Sequence, residues 1–285
     1  MEVLDIKILI ACHKPYQVAA GVDYIPIQVG AVGKKGIRVN DCPGAKAPKA
    51  HQDTGALLRD DEGDNISQKN PYYCELTGLY YGWKNIEADA IGLVHYRRYF
   101  SMKSRSYRKK HGVFDSVLSH DEAVALLTRA DVVVPKKRHY YIESLYSHYA
   151  HTLDGSHLDL AKEIIAADYP EYMQALVKVY DRSWGYMFNM AIMPKTILED
   201  YCNWLFAVLE KLEDRINVEE LDSFSARLFG RVSEILFNVW LEKRMEEGLS
   251  VVECPVIDME KINWGKKIAG FLKAKFFGKK YKASM

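Results

Sequence analysis

The chain has 285 residues, of which 48% are hydrophobic and 27% charged, with a net charge of +1. This is ample for a sizeable buried core, in one large domain or one domain with an appendage, and it excludes a disordered chain. The near-zero net charge excludes a global field that would recruit nucleic acid or another polyanion, so charge arguments must be local.

The five cysteines, Cys12, Cys42, Cys74, Cys202 and Cys254, are scattered and form no CxxC pair. That argues against a disulfide framework or a structural zinc site and fits a reducing compartment. The start, MEVLDIKILIACHKPY, has an acidic lead and only a short apolar run. It reads as a buried strand and not as a signal peptide. No run approaches the roughly 20 apolar residues of a membrane-spanning helix. A cytoplasmic protein, soluble or peripheral, is expected.

Ile6 to Ala11 is a short β-branched run that ends in Cys12-His13-Lys14-Pro15. It reads as a buried strand of a parallel sheet with polar residues at its C-terminal end. Residues 21–63 carry one short predicted strand, Tyr24–Val29, and otherwise a long loop of the kind that is usually functional. The acidic turn Asp60 to Asp64 follows. Its carboxylates suit a metal or ribose hydroxyls, and equally suit the N-terminus of the next helix. Asn70-Pro71 opens a predicted helix Tyr72–Asn85, with Asn70 as cap and Pro71 at the first turn. Ala90–Val94 is a second all-apolar strand, ending abruptly in His95-Tyr96-Arg97-Arg98.

A helix near Ser119–Arg129 and a strand Asp131–Val134 complete an alternating α/β pattern. Beyond it, helices are expected at Ser156–Ala167, Glu171–Tyr180, Lys195–Leu212 and Ser223–Glu247, with strands at Trp184–Met193 and Val251–Pro255. The last stretch, KKIAGFLKAKFFGKKYK, is basic and aromatic. It is a solvated tail or an amphipathic anchor on an anionic leaflet.

Ligands in open α/β sheets bind beyond the carboxyl ends of strands. His13-Lys14 and His95 to Arg98 stand at such ends, and arginine suits phosphate because its fork donates two hydrogen bonds. On a strand the two arginines would point to opposite faces, so only one would reach a ligand. Equally, both could pair with carboxylates elsewhere, and Lys14 by spacing alone reads sooner as a solvated surface residue. Asp222 and Glu234 border a helical segment in which Arg227, Arg231 and Glu234 fall on one face. An acid there could deprotonate an acceptor hydroxyl, or belong to a surface ion network. His148 and His151 share a helix face, but no third ligand is evident and no metal is assigned. GxGxxG, GxxxxGK[ST], GxSxG and HExxH are all missing from the sequence.

Six strings are specific enough to carry a resemblance: HKPY (13–16), YIPIQVG (24–30), GDNISQKNPYYCELTGLYYGWKN (63–85), IGLVHYRRYF (91–100), FNMAIM (188–193) and FGRVSEILFNVWL (229–241). Over residues 6–245 the chain resembles the capsular and exopolysaccharide biosynthesis proteins long labelled a domain of unknown function and regarded as glycosyltransferases. The resemblance implies a GT-A-like α/β nucleotide-binding sheet with a mostly helical acceptor region. It implies one such domain over 1–265, with a donor part near 1–135, an acceptor part near 136–265, and a basic tail at 266–285.

The resemblance also implies a nucleotide-sugar donor, UDP-linked, whose galactose or galactofuranose would pass to a lipid-linked oligosaccharide beside the inner leaflet. Donor binding would fall to His13, Lys14, Asp64, Asn65, Asn70, Tyr96, Arg97, Arg98 and Asn189. His95 would assist catalysis, with Asp222 or Glu234 as base. Where many GT-A enzymes carry a metal-binding Asp-x-Asp, this chain has His95-Tyr96-Arg97, so a manganese or magnesium ion is in question and a cation could stabilise the leaving diphosphate instead. Two rival readings are a non-catalytic carbohydrate-binding component of an assembly complex and a metal-dependent nucleotide-sugar hydrolase using the acidic turn.

Overall fold

The computed structural model describes residues 4–21, 23–47, 53 and 55–260. The expected amphipathic tail lies outside the described residues. In chain order the elements are β1 (Ile6–Cys12), β2 (Tyr24–Gln28), β3 (Leu58–Arg59), α1 (Asn70–Tyr73), α2 (Leu76–Asn85), β4 (Ala90–His95), β5 (Arg98–Phe100), α3 (Arg105–His111), α4 (His120–Leu127), β6 (Val132–Pro135), β7 (Arg138–His139), α5 (Leu145–Thr152), α6 (Ser156–Asp168), α7 (Met173–Asp181), β8 (Trp184–Gly185), β9 (Ala191–Pro194), α8 (Lys195–Glu213), α9 (Leu228–Glu246), β10 (Val251–Cys254) and β11 (Val256–Asp258). They form two compact units. The first takes residues up to 136 with 188–202 and 249–260, and the second takes 137–187 and 203–248.

The first unit is built on a nine-stranded sheet in the order β10-β6-β9-β4-β1-β2-β3, with β5 joined to β4 and β11 to β5. The α/β class read from the sequence holds. The sheet is mixed, however: β1 runs parallel to β2 and β4, whereas β9 runs antiparallel to β4 and β6. The β1–β4 register pairs Ile6 with Ala90 and Ala11 with His95, so both strands end at the same edge.

Alternation along β1 explains the layers. Ile6, Ile8, Ile10 and Cys12 face one core with Tyr99, Phe100, Val133, Ile192 and α4 residues Ala123 and Leu126. Each such fully buried isoleucine contributes about 2 kcal/mol. Leu9 faces the other way, under α2. A Cβ on Gly82 would stand 2.6 Å from Leu9 Cδ1, so the missing side chain lets the helix settle on the sheet. The second unit packs α5, α6, α7, α9 and the later part of α8 beside the small β7–β8 ribbon. No described helix is long and apolar enough to cross a membrane.

Several boundaries differ from expectation for identifiable reasons. The predicted helix Tyr72–Asn85 is two helices, broken at Cys74, whose φ is +55°. Asn70 is a helical residue and not a cap, because its amide donates to the Cys74 carbonyl at 2.7 Å and the Thr77 hydroxyl at 3.0 Å. The predicted strand Trp184–Met193 is two strands in different sheets, β8 and β9, separated by left-handed Phe188 and Asn189. The helix expected from Ser223 begins at Leu228. The short helix α3 has no buried face, so it gives no apolar period to read.

Candidate functional site

At the shared edge of β1 and β4, the residues after each strand meet. β4 and β5 form a hairpin in which His95 pairs with Arg98, leaving Tyr96 and Arg97 at its tip. The adjacent arginines are therefore divided by a turn and not by the two faces of one strand. Tyr96 stacks on Tyr16 with ring centroids 3.5 Å apart and an interplanar angle of 16°. His13 packs edge-on against both rings, and its Nε2 lies 3.1 Å from the Tyr16 hydroxyl. Lys14 Nζ sits 5.2 Å from the Tyr16 ring and the Arg97 guanidinium 5.2 Å from the Tyr96 ring. Cation–π attraction thus holds two cations to one aromatic pair. Burial, together with the hydrogen bond to Tyr96, pushes the Tyr16 hydroxyl well up, so it stays protonated as a donor. Tyr16 was not singled out from the sequence, although it ends the HKPY string.

His95, at this edge, leads to a cluster of polar groups on strained backbone. His95 Nε2 lies 2.6 Å from the Phe188 carbonyl oxygen. Phe188 and Asn189 have φ of +80° and +50°, and Asn189 is only 8% exposed. The Asn189 amide donates to Glu75 Oε1 at 2.8 Å. Glu75 itself follows left-handed Cys74. Three of the four positive-φ non-glycine residues among those described therefore surround one carboxylate–amide pair. Each costs about 1–3 kcal/mol and persists where the surroundings over-determine it, as they do at functional sites. Glu75 escaped the sequence reading because it was placed inside a continuous helix; the break at Cys74 is invisible to apolar spacing.

Arg98 is used internally. Its Nε lies 3.2 Å from Asp258 Oδ1, and its guanidinium stacks 4.4 Å from the Phe188 ring, bracing the strained peptide. The acidic turn is also occupied. Asp60 is wholly buried and accepts from the Gly30 and Ala31 amides at 2.7 and 2.9 Å and from the Ser67 and Thr77 hydroxyls, both at 2.6 Å. Asp61 pairs with Arg59 at 2.7 Å. Asp64 is exposed, accepts from the Tyr80 hydroxyl at 3.1 Å and is tied to Asn85 through its backbone. Asn65 closes the turn through Gly63 and Ser67. Asp64, Asn65 and Asn70 thus shape the segment before α2. No group of three His, Cys, Asp or Glu residues suited to a metal ion occurs among the described residues. With Lys14 and Arg97 at the strand ends, the donor set there does not fit a divalent cation.

In the second unit, Asp222 accepts from the Phe224 and Ser225 amides at 2.8 and 3.1 Å and from the Ser225 hydroxyl at 2.9 Å. Those bonds, led by the Ser225 amide, hold its carboxyl below the usual range. Glu234 is half-buried on α9, and its backbone carbonyl accepts from Asn238 at 2.7 Å. Arg227 precedes α9, so the expected three-residue helical face does not form as one helix. His148 and His151 gain a partner the spacing did not show: buried Glu143 takes the Nδ1 of each, at 2.9 and 2.8 Å.

Comparison with solved structures finds a chain described as the WbbM bifunctional glycosyltransferase, apo structure, with a TM-score of 0.75 and 31% identity. The match covers 90% of this chain but 46% of that one, so this chain spans about half its length. No curated protein matches. The profile of the family described as "Domain of unknown function (DUF4422)" matches residues 7–245, and the chain belongs to that family.

Proposed function

We propose that this chain is a glycosyltransferase that moves a hexosyl unit, galactose or galactofuranose, from a UDP-sugar to a lipid-linked oligosaccharide of a bacterial surface polysaccharide. The observation that carries the reading is the Tyr16–Tyr96 stack bearing Lys14 and Arg97 at the joint end of β1 and β4. Likeness to half of a bifunctional glycosyltransferase supports the reaction class.

In this reading Lys14 and Arg97 hold the diphosphate with His13, and Tyr96 lines the site. As the acceptor oxygen attacks the anomeric carbon, the bond from that carbon to the diphosphate breaks and negative charge grows on the leaving oxygen. Preorganised cations stabilise that charge without reorganising. His95 acts indirectly, by fixing the Phe188 carbonyl and hence the Asn189–Glu75 pair that would contact the donor sugar. The acceptor proton passes to a carboxylate, for which the family resemblance proposes Asp222 or Glu234. The hydrolase rival is weakened because Asp60 is buried and fully bonded and Asp61 is paired with Arg59.

Thermal unfolding with a panel of nucleotides and nucleotide sugars, each with manganese and with EDTA, tests the proposal. A ligand at about 100 times its dissociation constant adds about 2.7 kcal/mol. UDP and one UDP-sugar are expected to stabilise the protein in EDTA as well as in manganese, and Arg97→Ala is expected to abolish that stabilisation and turnover while the unliganded melting point holds. Glycan binding without any nucleotide effect would instead support a carbohydrate-binding component.

A further inference from the structure

Tyr141 and Ile142 are 87% and 61% exposed, whereas the next most exposed large hydrophobic residue among those described, Val32, reaches 50%. The two are adjacent, and they sit at the end of a run Lys137-Arg138-His139. Exposure of single apolar side chains is ordinary, but a contiguous apolar tip rimmed by cations marks an interaction surface.

The tip is anchored on both flanks. Its base is the β7–β8 ribbon, which pairs Arg138 with Gly185 and His139 with Trp184. The Tyr140 amide donates to the Ser183 carbonyl at 2.8 Å, and the Tyr140 ring is buried against His148 with centroids 4.1 Å apart. Glu143, on the other flank, is clamped by His148 and His151. Between these anchors the Ile142 amide donates to the Tyr140 carbonyl at 2.6 Å, a bond spanning one residue, and Tyr141 has φ of +57°. This tight left-handed turn is uncommon for a large side chain. Its cost brings no burial in return, since the strained residue is the most exposed of its kind. The strain is instead used to aim Tyr141 and Ile142 outward.

We propose that this loop seats the second unit on an anionic lipid bilayer, with Tyr141 and Ile142 entering the headgroup–acyl boundary and Lys137 and Arg138 against lipid phosphates. A tyrosine is at home at that boundary because its ring is apolar and its hydroxyl remains wet. Ile142 has no polar group to offer a sugar, and the one acid adjoining the tip, Glu143, is buried and bonded to His148 and His151, so it is not presented to sugar hydroxyls or to lipid phosphate. Lys137 is held over the Trp184 ring at 4.3 Å, so its charge is fixed at the base of the tip. The inference does not depend on the donor-site reading.

The test uses the full chain with vesicles of phosphatidylcholine alone or mixed equally with phosphatidylglycerol. Cosedimentation with the mixed vesicles and not with phosphatidylcholine alone is expected. Tyr141→Asn with Ile142→Ser, in which asparagine accepts the left-handed backbone, is expected to lower partitioning about tenfold at unchanged melting temperature, and Lys137→Gln with Arg138→Gln by a similar factor. A Tyr141→Trp variant gives a local readout: a blue shift and quenching by brominated lipid are expected on mixed vesicles. Cosedimentation without that shift would place the contact elsewhere, such as the basic C-terminal sequence, and overturn the proposal. Failure to bind mixed vesicles, or binding of a soluble glycan or protein to this loop in place of lipid, would overturn it equally.

Discussion

Asp60 shows how one side chain can look like a ligand in sequence and be a scaffold in space. Two backbone amides and two hydroxyls converge on its carboxylate, tying the ends of β2 and β3 to the start of α2. Gly30 belongs to the same knot: its φ is +60°, and a Cβ there would stand 2.3 Å from Asn70 Oδ1. Removing the Asp60 carboxylate leaves buried donors without an acceptor. Asp60→Ala is therefore expected to destabilise the protein by about 3 kcal/mol, measured by urea unfolding. A change under about 0.5 kcal/mol, typical of a surface substitution, would mean that the turn is not a structural centre. Glu75 shows the converse. It reads as an unremarkable helix residue, yet strained Cys74, Phe188 and Asn189 are arranged around it.

The elements carry two further predictions. α2 approaches β1 closely enough that Gly82 faces Leu9 directly. Gly82→Val must push the helix off the sheet and should cost about 1–3 kcal/mol by the same unfolding measurement, despite the gain in apolar surface. The start of α5 carries one source of pH dependence. Burial would raise the Glu143 carboxyl, but the hydrogen bonds from His148 and His151 outweigh it and hold it below its ordinary value of 4.5. Burial also lowers His148 below 6.5, outweighing the pull of Glu143, so the pair is a neutral imidazole donating to a carboxylate. Both folded values are depressed, so the unfolded chain binds more protons. The stabilisation is present above pH 6.5 and is lost as pH falls through the folded values. Melting temperature should drop progressively below that point. His148→Gln, which keeps a donor toward Glu143 but does not titrate, should delay the onset of the drop; an unchanged onset would assign it to another group.

At the scale of the molecule, topology sets which chemistry is gathered. The parallel β1–β4 pair ends with Ala11 opposite His95, and this alone brings HKPY and HYRR together across some eighty residues of sequence. Antiparallel β9 then delivers Phe188 and Asn189 to the same neighbourhood, through the His95 and Glu75 contacts. On the proposed reading, a single donor site on one sheet would take one donor. The purified chain is expected to consume a single class of nucleotide sugar, followed by nucleotide release across a donor panel; release from two unrelated donors would require a second site.

The sequence by itself determined the α/β class, the two strands whose ends matter, and the polar residues that close them. Apolar runs such as IKILIA and AIGLV are unambiguous because burial on both faces leaves no other reading. It also nominated Lys14, Tyr96 and Arg97 as donor-binding groups, and the family resemblance nominated Asn189; their role stays a proposal. Tertiary structure decided which polar residues are available and which are committed. Arg98 and Arg97 are neighbours in the chain, yet a two-residue turn sends one to Asp258 and leaves the other beside Tyr96. Asp60 is absorbed as an acceptor by a group 30 residues away, and Asn65 and Asn70 as donors to nearby carbonyls. The break at Cys74, the kink at Phe188 and the exposed turn at Tyr141 are left-handed backbone positions held against local preference by distant contacts. No spacing rule reveals them, because the interactions that enforce them exist only once the chain has folded.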